Sequence, residues 1–568
     1  MEDHRLVRLF NRARSGQVSR RYLLNTGLRL GLASPVISAL LAAVPDTAVA
    51  KAPSSRLPGR QGESSGTFTA LFGSGVEDID PHYTYSTAAS SVAFATYEML
   101  LQFKGESTSE FAPMLAESWE ASPDQATYTF KIAPNTTFHD GTPCDAAAVK
   151  ASFERFLLLD GGPVNVISRF VESPDQIEAV DATTVRFSLG TPQPLFLSAM
   201  ASQYGPLVVS PSAVEANKTS EDEFAHEWFT INAVGTGPYR LESNSLNDGL
   251  VFSRFDEFHG GWEGSHFDQV VIRVVPENST RRQLLETGEA NGSTFNLTPE
   301  DVEALKTNPD LQVLTYDTTR VDWIIMNTGR LNVDARKGFS YAFPYDDVIN
   351  GAYKGLLRRS GPIADSVLGY DPDVFLYQTD LAKAKEMILA AGFAEGDSFE
   401  YMFASDDEVD AAVAQLFQAN VAEMSFNLEL TSIDGATLEG IVYGEAPAEE
   451  RPDFMASWEW WPDYNDPWNQ LAPNFLEEAT GGGGSNGGYY VNDRFEAIMA
   501  EAEHFADETQ LNDLMIEAQN ILTEQDPPCI FLGQAVLYTI LSNDIEGFYA
   551  NPLYIEGFPF YAMSRSTG

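Results

Sequence analysis

Cysteine is nearly absent: Cys144 and Cys529 are the only two in 568 residues, far apart and outside any CxxC or other metal-ligand spacing. A disulfide framework is thereby excluded, and the two read as separate buried thiols. Positive charge is scarce as well. With 35 Lys and Arg against 82 Asp and Glu, the formal charge of −47 repels polyanions, so nucleic acid is excluded as a partner. The seven histidines are scattered, and only His259 and His266 lie close, at a spacing with no metal-site signature. No GxxxxGK[ST] loop occurs, so nucleotide hydrolysis is not this chain's work. No repeat of solenoid period is visible, and no motif calls for a metal or cofactor.

What is present begins with a targeting pattern. Arg5, Arg8, Arg12, Arg14, Arg20 and Arg21 precede the mostly apolar Leu30 to Val44, which ends before Ala48-Val49-Ala50. The pattern predicts a signal peptide over 1–50. Ser19-Arg20-Arg21-Tyr22-Leu23-Leu24 resembles the twin-arginine export motif, and Gly31, Ser34 and Pro35 keep the following region weakly hydrophobic. The alternative is a retained anchor, but the apolar run of about 15 residues falls short of the roughly 20 a spanning helix needs. Residues 51–66, rich in Ser, Pro and Gly, read as a flexible lead-in. No later segment approaches spanning length without charges, so a soluble protein outside the cytoplasm is expected, in the periplasm or at the outer face of the membrane.

From Thr67 onward, short apolar runs alternate with helix-like stretches. Thr67–Phe72, Tyr128–Ile132, Thr184–Leu189 and Val270–Val275 read as strands; Ala146–Leu159, Asp380–Ala391 and Asp493–Phe505 read as helices. The fold class is therefore α/β. Gly481 to Gly488 lies between helix signals and is expected to be a surface loop. Gly62-Glu63-Ser64-Ser65-Gly66 matches the nucleophile pattern of serine hydrolases, the rival from another functional class. It sits in the lead-in, without the strand before and helix after that such an elbow needs.

Four of the eight tryptophans, Trp458, Trp460, Trp461 and Trp468, fall within eleven residues, interleaved with Glu459, Asp463, Tyr464 and Asp466. Such rings offer apolar area at low entropic cost and stack on sugars, peptide side chains or cations, while a desolvated carboxylate demands a positive partner. The pattern suits capture of a small molecule.

The run Phe111-Ala112-Pro113-Met114-Leu115-Ala116-Glu117-Ser118-Trp119-Glu120 closely resembles the dipeptide, oligopeptide and nickel solute-binding proteins, family 5 of the ABC importers (cluster C). Tyr128 to Ile132, Thr137-Phe138-His139-Asp140-Gly141-Thr142-Pro143 and Ala148-Val149-Lys150 follow in the family's order. Asp78-Ile79-Asp80-Pro81-His82, Tyr97 to Leu101, Gly235-Thr236-Gly237-Pro238-Tyr239 and Asp463-Tyr464-Asn465-Asp466-Pro467 add to it. Each block also has a structural reading: Gly235 to Pro238 supplies positive-φ turns for a crossover, and Asp140-Gly141 a tight turn. Asp334 to Asp347 resembles a family helix, but Pro344 is expected to stop it early.

The resemblance implies a type II, two-lobed periplasmic-binding-protein fold with an additional inserted domain. Mapped onto this chain, lobe I comprises 67–95, 232–319 and 536–566, the inserted domain II spans 96–231, and lobe III spans 320–535. It implies a monomeric, non-enzymatic substrate-binding protein working with ABC importer transmembrane subunits. In peptide-binding members, the aspartate matching Asp463 pairs with the ligand's α-amino group, and Trp460 and Trp461 stand where backbone meets the peptide. Trp458 and Tyr464 complete that side; Tyr85, Ser86 and Thr87 are the cleft-lining residues of the facing lobe. Ser457 stands about where some oligopeptide binders carry an arginine for the ligand carboxylate. The expected solute is therefore peptide-like or amine-bearing, with an oligosaccharide as the alternative.

Overall fold

Two strands are far longer than the rest, and they organise the molecule. Leu311–Met326 and Cys529–Ser542 run antiparallel along nearly their whole length. Cys529–Ser542 is buried at almost every position, the pattern of a strand covered on both faces. Together they form the centre of an eleven-stranded sheet. On one side follow Phe454–Trp460, Ser398–Ala404 and Asn427–Ile433; on the other, Gly292–Ser293, Thr67–Phe72, Gln269–Val274, Gly249–Arg254 and Tyr239–Ser245. The ladder between the two long strands slips twice, between Asp317 and Val321 and between Asp322 and Trp323. Bulges of this kind bend and twist a strand locally. Here Gln534 fills the irregularity, donating from Nε2 to the Thr318 carbonyl at 2.6 Å and to Asp365 Oδ1 at 2.9 Å.

This computed structural model describes residues 63–566, apart from 65, 295–296, 406, 482–483, 504–507 and 556. The expected signal peptide, most of the lead-in, and Gly62 and Ser65 of the hydrolase-like pattern lie outside the described residues. Among the described residues, no helix is long and apolar enough to cross a membrane.

Period-two alternation sends neighbouring side chains of the long strand to opposite faces, and both faces are buried. Ile324 and Met326 enter a core with Phe339, Phe417 and Phe454, whereas Val321, Trp323 and Ile325 enter one with Leu471, Phe475 and Phe495. At the other end, Phe68, Phe252, Phe267, Phe558 and Phe560 form a separate core, with Phe68 and Phe267 ring centroids 5.3 Å apart. A four-stranded antiparallel sheet, Ala116–Ala121, Thr127–Ile132, Thr184–Ser188 and Ile177–Asp181 in spatial order, carries its own core of Phe130, Phe153 and Phe187. The helix Ala146–Leu159 contributes Phe153 and begins where Asp145 accepts a hydrogen bond from the Ala148 amide.

The local expectations hold for most elements. Thr67–Phe72 and Ala146–Leu159 have the expected ends, and Asp380 caps a helix over Leu381–Ala390 that stops before Gly392 at φ +103°. The helix Val333–Ala342 ends ahead of Pro344, as its missing amide requires. Cys144 and Cys529 are both free and buried, in different cores.

Two expectations are corrected. The glycine-rich loop is not on the surface: Ser485 and Asn486 are 3% and 2% exposed, and Arg451 donates to the Gly487 carbonyl at 3.0 Å. Gly488 fits there because a Cβ on it would meet the Met326 carbonyl oxygen at 2.5 Å. Nor do Gly235 and Gly237 adopt positive φ. They let the backbone approach Thr96, whose carbonyl oxygen would lie 2.2 Å from a Cβ on Gly235. Gly141 does take φ +82°, as a tight turn requires.

Candidate functional site

The site is built on two loops, one ahead of the helix Thr87–Thr96 and one after the strand Phe454–Trp460. The first is anchored by a buried ion pair. Asp80, fully buried, accepts from Arg155 at 2.9 and 2.5 Å and interacts with His226 Nδ1 at 3.1 Å. Burial alone would raise its pKa, but hydrogen bonds from His226 and Arg155 outweigh this and hold the carboxyl well below the usual carboxylate range. His82 lies alongside, its Nε2 2.8 Å from the Leu207 carbonyl and its Nδ1 3.0 Å from Arg155. A neutral ring donating from Nε2 and accepting at Nδ1 satisfies both contacts. Burial first, then Arg155, pushes its pKa down to about 3.

This network fixes the segment that carries Tyr83 and Tyr85. Tyr83 lies against His226 with centroids 3.8 Å apart, and Tyr85 stacks on Tyr204 at 4.6 Å. Tyr85 is 42% exposed, yet its hydroxyl reaches across to donate to Asp463 Oδ1. Ser86 and Thr87 follow at the helix start, half-buried, and the Ser86 side chain makes no capping bond.

On the other side, Trp458 and Trp460, two apart in a strand, pack against the same core. Glu459 between them bonds Arg320 at 2.7 Å, and Arg320 also grips Asp322 through two nitrogens. Trp458 meets Tyr443 edge-on at 5.4 Å, and its indole nitrogen is buried without a partner among the described residues. Trp461 is half-buried, and the Ser457 side chain lies outside the described residues.

Pro462 follows the strand, and the chain turns into Asp463. Asn469 holds this residue at both ends: its Oδ1 accepts from the Asp463 amide at 2.6 Å, and its Nδ2 donates to Asp463 Oδ2 at 3.0 Å. The Trp460 indole donates to the Asn469 carbonyl at 3.0 Å, so tryptophan and aspartate share one support. Asp463 is 7% exposed, and no cation contacts it among the described residues. Burial lifts its pKa to about 6, against the lowering effect of its bonds from Tyr85 and Asn469. A desolvated carboxylate of this kind is stabilised by a positively charged partner.

The rest of the cluster does structural work. Asp466 caps the helix Pro467–Phe475 and pairs with Arg169 at 2.5 Å. Arg169 lies 4.4 Å over the Trp468 ring and bonds the Tyr464 hydroxyl at 3.3 Å. Tyr464, 1% exposed, is buried in the core of the four-stranded unit.

The structure therefore brings Tyr85, Trp460 and Asp463 together, sets Trp458 at the flank, and takes Tyr464 into a core. Sequence reasoning missed Tyr204, Asn469 and Tyr443, the last of which acts electrostatically on Tyr85. Asn469 carries a signal, six residues after Asp463 in the same motif; Tyr204 and Tyr443 stand alone in unremarkable segments. Glu63–Ser64 of the hydrolase-like pattern forms a two-residue strand beside Ser265–His266, and the next element is another strand, not a helix. No group of three or more metal-ligating side chains occurs among the described residues.

Residues 110–482 match the family model described as "Bacterial extracellular solute-binding proteins, family 5 Middle". The chain is 27% identical over 503 residues to the probable D,D-dipeptide-binding periplasmic protein DdpA of Escherichia coli K12, covering 86% of this chain and 92% of that protein. It is 28% identical over 489 residues to the glutathione-binding protein GsiB of Pectobacterium atrosepticum, covering 84% and 91%. Among solved structures, the periplasmic binding protein DppA of Helicobacter pylori in complex with the peptide STSA superposes with a TM-score of 0.75 at 24% identity, covering 88% and 98%. That likeness establishes the two-lobed fold. The chain belongs to family 5 of the bacterial extracellular solute-binding proteins.

Proposed function

We propose that this protein captures a peptide-like or amine-bearing solute between its lobes and delivers it to the transmembrane subunits of an ABC importer. One observation carries the reading: Asp463, nearly buried and without a cation among the described residues, is met by the Tyr85 hydroxyl. A solute ammonium displacing or joining the Tyr85 hydroxyl supplies the charge that the buried carboxylate lacks. Trp460 and Trp461 offer ring faces beside it, and Tyr204 and Tyr443 extend the aromatic wall.

The proposed lobes are 67–95 with 232–319 and 536–566, and 320–535, with 96–231 inserted. The slips in the two long strands, around Asp317 to Trp323 and Gln534, are the proposed hinge, since a bulged ladder bends more readily than a regular one. A trap that closes on itself needs no second copy, so the working form is a monomer that binds and does not catalyse. Relatives named for a dipeptide and for glutathione support a solute with a free amino group. Mass spectrometry of the small molecules released from the purified protein tests this. A peptide or other amine is expected; a neutral oligosaccharide in its place would overturn it.

A further inference from the structure

Away from the Tyr85–Asp463 contact, a cavity of about 270 Å³ opens between the end of the helix Thr87–Thr96, the Phe258–Gly260 turn and the C-terminal segment around Tyr549–Ala562. Its walls combine the rings of Phe94, Phe258, Tyr554 and Tyr561 with the polar Gln102 and Asn551. Phe94 packs on Tyr554 with centroids 5.0 Å apart, and Phe258 packs on Tyr561 at 5.0 Å. The tyrosine hydroxyls are engaged elsewhere: Tyr561 donates to the Gly260 and Gly261 carbonyls, and Tyr554 bonds the Ala201 carbonyl and the Phe103 amide. Of these two tyrosines, ring surfaces rather than hydroxyls are left to line the space. The walls are also closely fitted, since a Cβ on Gly557 would meet the Phe94 ring at 2.8 Å.

Among the described residues, one carboxylate lines this cavity. Glu98 is 2% exposed, and its only side-chain partner among the described residues is His259, whose Nε2 lies 2.9 and 3.0 Å from the two oxygens. A carboxylate has about four lone-pair sites, and a single N–H fills one of them. A desolvated carboxylate so thinly bonded favours a further donor, above all a charged one. Aromatic faces favour a cation for the same electrostatic reason.

We propose that this cavity is a second small-molecule site, which takes a compact amine with an aromatic or alkyl body and seats its ammonium against Glu98. Its volume is near the lower end for ligand pockets and excludes an extended peptide. It is separate from the cleft: the helix Thr87–Thr96 carries Thr87 at one end and Phe94 near the other, and the seven rises between them span about 10 Å.

Calorimetry with phenethylamine on the full chain tests the site, with 2-phenylethanol as the uncharged probe of similar shape. Measurements are made in an Asp463→Asn background, so that the cleft carboxylate contributes nothing. Saturable phenethylamine binding is expected, weakened by at least about tenfold in Glu98→Gln and equally by the loss of charge in 2-phenylethanol. Ala562→Trp, at an exposed position on the cavity rim, is expected to block binding while leaving Glu98 and His259 in place. It keeps the test decisive if Glu98→Gln does not fold. Absence of saturable binding up to about 10 mM, or binding unchanged in both variants, overturns the proposal. Neither result bears on the cleft, which is read separately through Asp463.

Discussion

The Tyr85 hydroxyl donates to Asp463 Oδ1, linking residues 378 positions apart in the chain. On one side the bond is braced by Tyr204 under the Tyr85 ring, and on the other by Asn469 at Asp463. Neither residue is adjustable on its own: Tyr85 follows a loop fixed by Asp80 and Arg155, and Asp463 precedes a helix capped by Asp466.

Removing the hydroxyl in Tyr85→Phe leaves Asp463 Oδ1 without this donor in a buried site. The closed form is expected to lose about 1–3 kcal/mol. Small-angle scattering of the unliganded protein should then report a larger radius of gyration than for the wild type. An unchanged radius would show that Tyr85 does not hold the lobes together.

The elevated pKa of Asp463, about 6, predicts a pH dependence of closure and of binding with opposite signs. A buried group whose pKa is raised on closing favours the closed form at low pH and loses that contribution as pH rises through about 6. A cationic solute, by contrast, needs the ionised carboxylate. Its affinity is expected to rise about tenfold between pH 5 and pH 7, as the ionised fraction rises from about one-tenth to nine-tenths. Titration calorimetry at the two pH values checks this, with a flat profile as the contrary result.

Breaking the Asp80–Arg155 pair should be costly, because both side chains are almost fully buried. Arg155→Ala leaves the buried Asp80 with His226 as its remaining partner, with an expected loss of about 3 kcal/mol. Asp80 is held below the usual carboxylate range, so its contribution is present above about pH 4 and fades as acid protonates it. Urea unfolding at pH 7 and at pH 3 should therefore show a smaller difference between the two pH values in the variant than in the wild type.

Gly237→Ala is expected to destabilise the protein by more than about 1 kcal/mol, since its Cβ would lie 2.7 Å from the Thr96 carbonyl carbon and the neighbour is backbone that cannot rotate away. A thermal melt measures this, and an unshifted midpoint would contradict the close approach.

That glycine also illustrates what was legible beforehand. The Gly-Thr-Gly-Pro motif marked a constrained crossover, but spacing alone cannot separate a positive φ from a close approach, because both demand a missing side chain. Local signals served well where the cause is local. The Asp145 cap and the Pro344 break act within a few residues, and both appear in the structure. The glycine-rich loop misled because glycine usually marks exposed turns, whereas here Met326, Pro473 and Val442 press against it from distant parts of the chain. The candidate site divides the same way. Asp463 and its tryptophans stood out as a cluster, while Tyr204 and Tyr443 acquire meaning only once the fold sets them near Tyr85.

In the proposed closed cleft, Asp463 receives the solute's positive charge. Calorimetry of the wild type and of Asp463→Asn, with dipeptides bearing a free or an acetylated amino terminus, tests it most directly. The substitution is expected to weaken binding of the free-amine dipeptide by about 2–5 kcal/mol and to leave that of the acetylated one, already weak, unchanged. Equal affinity of wild type and Asp463→Asn for the free-amine dipeptide would contradict it.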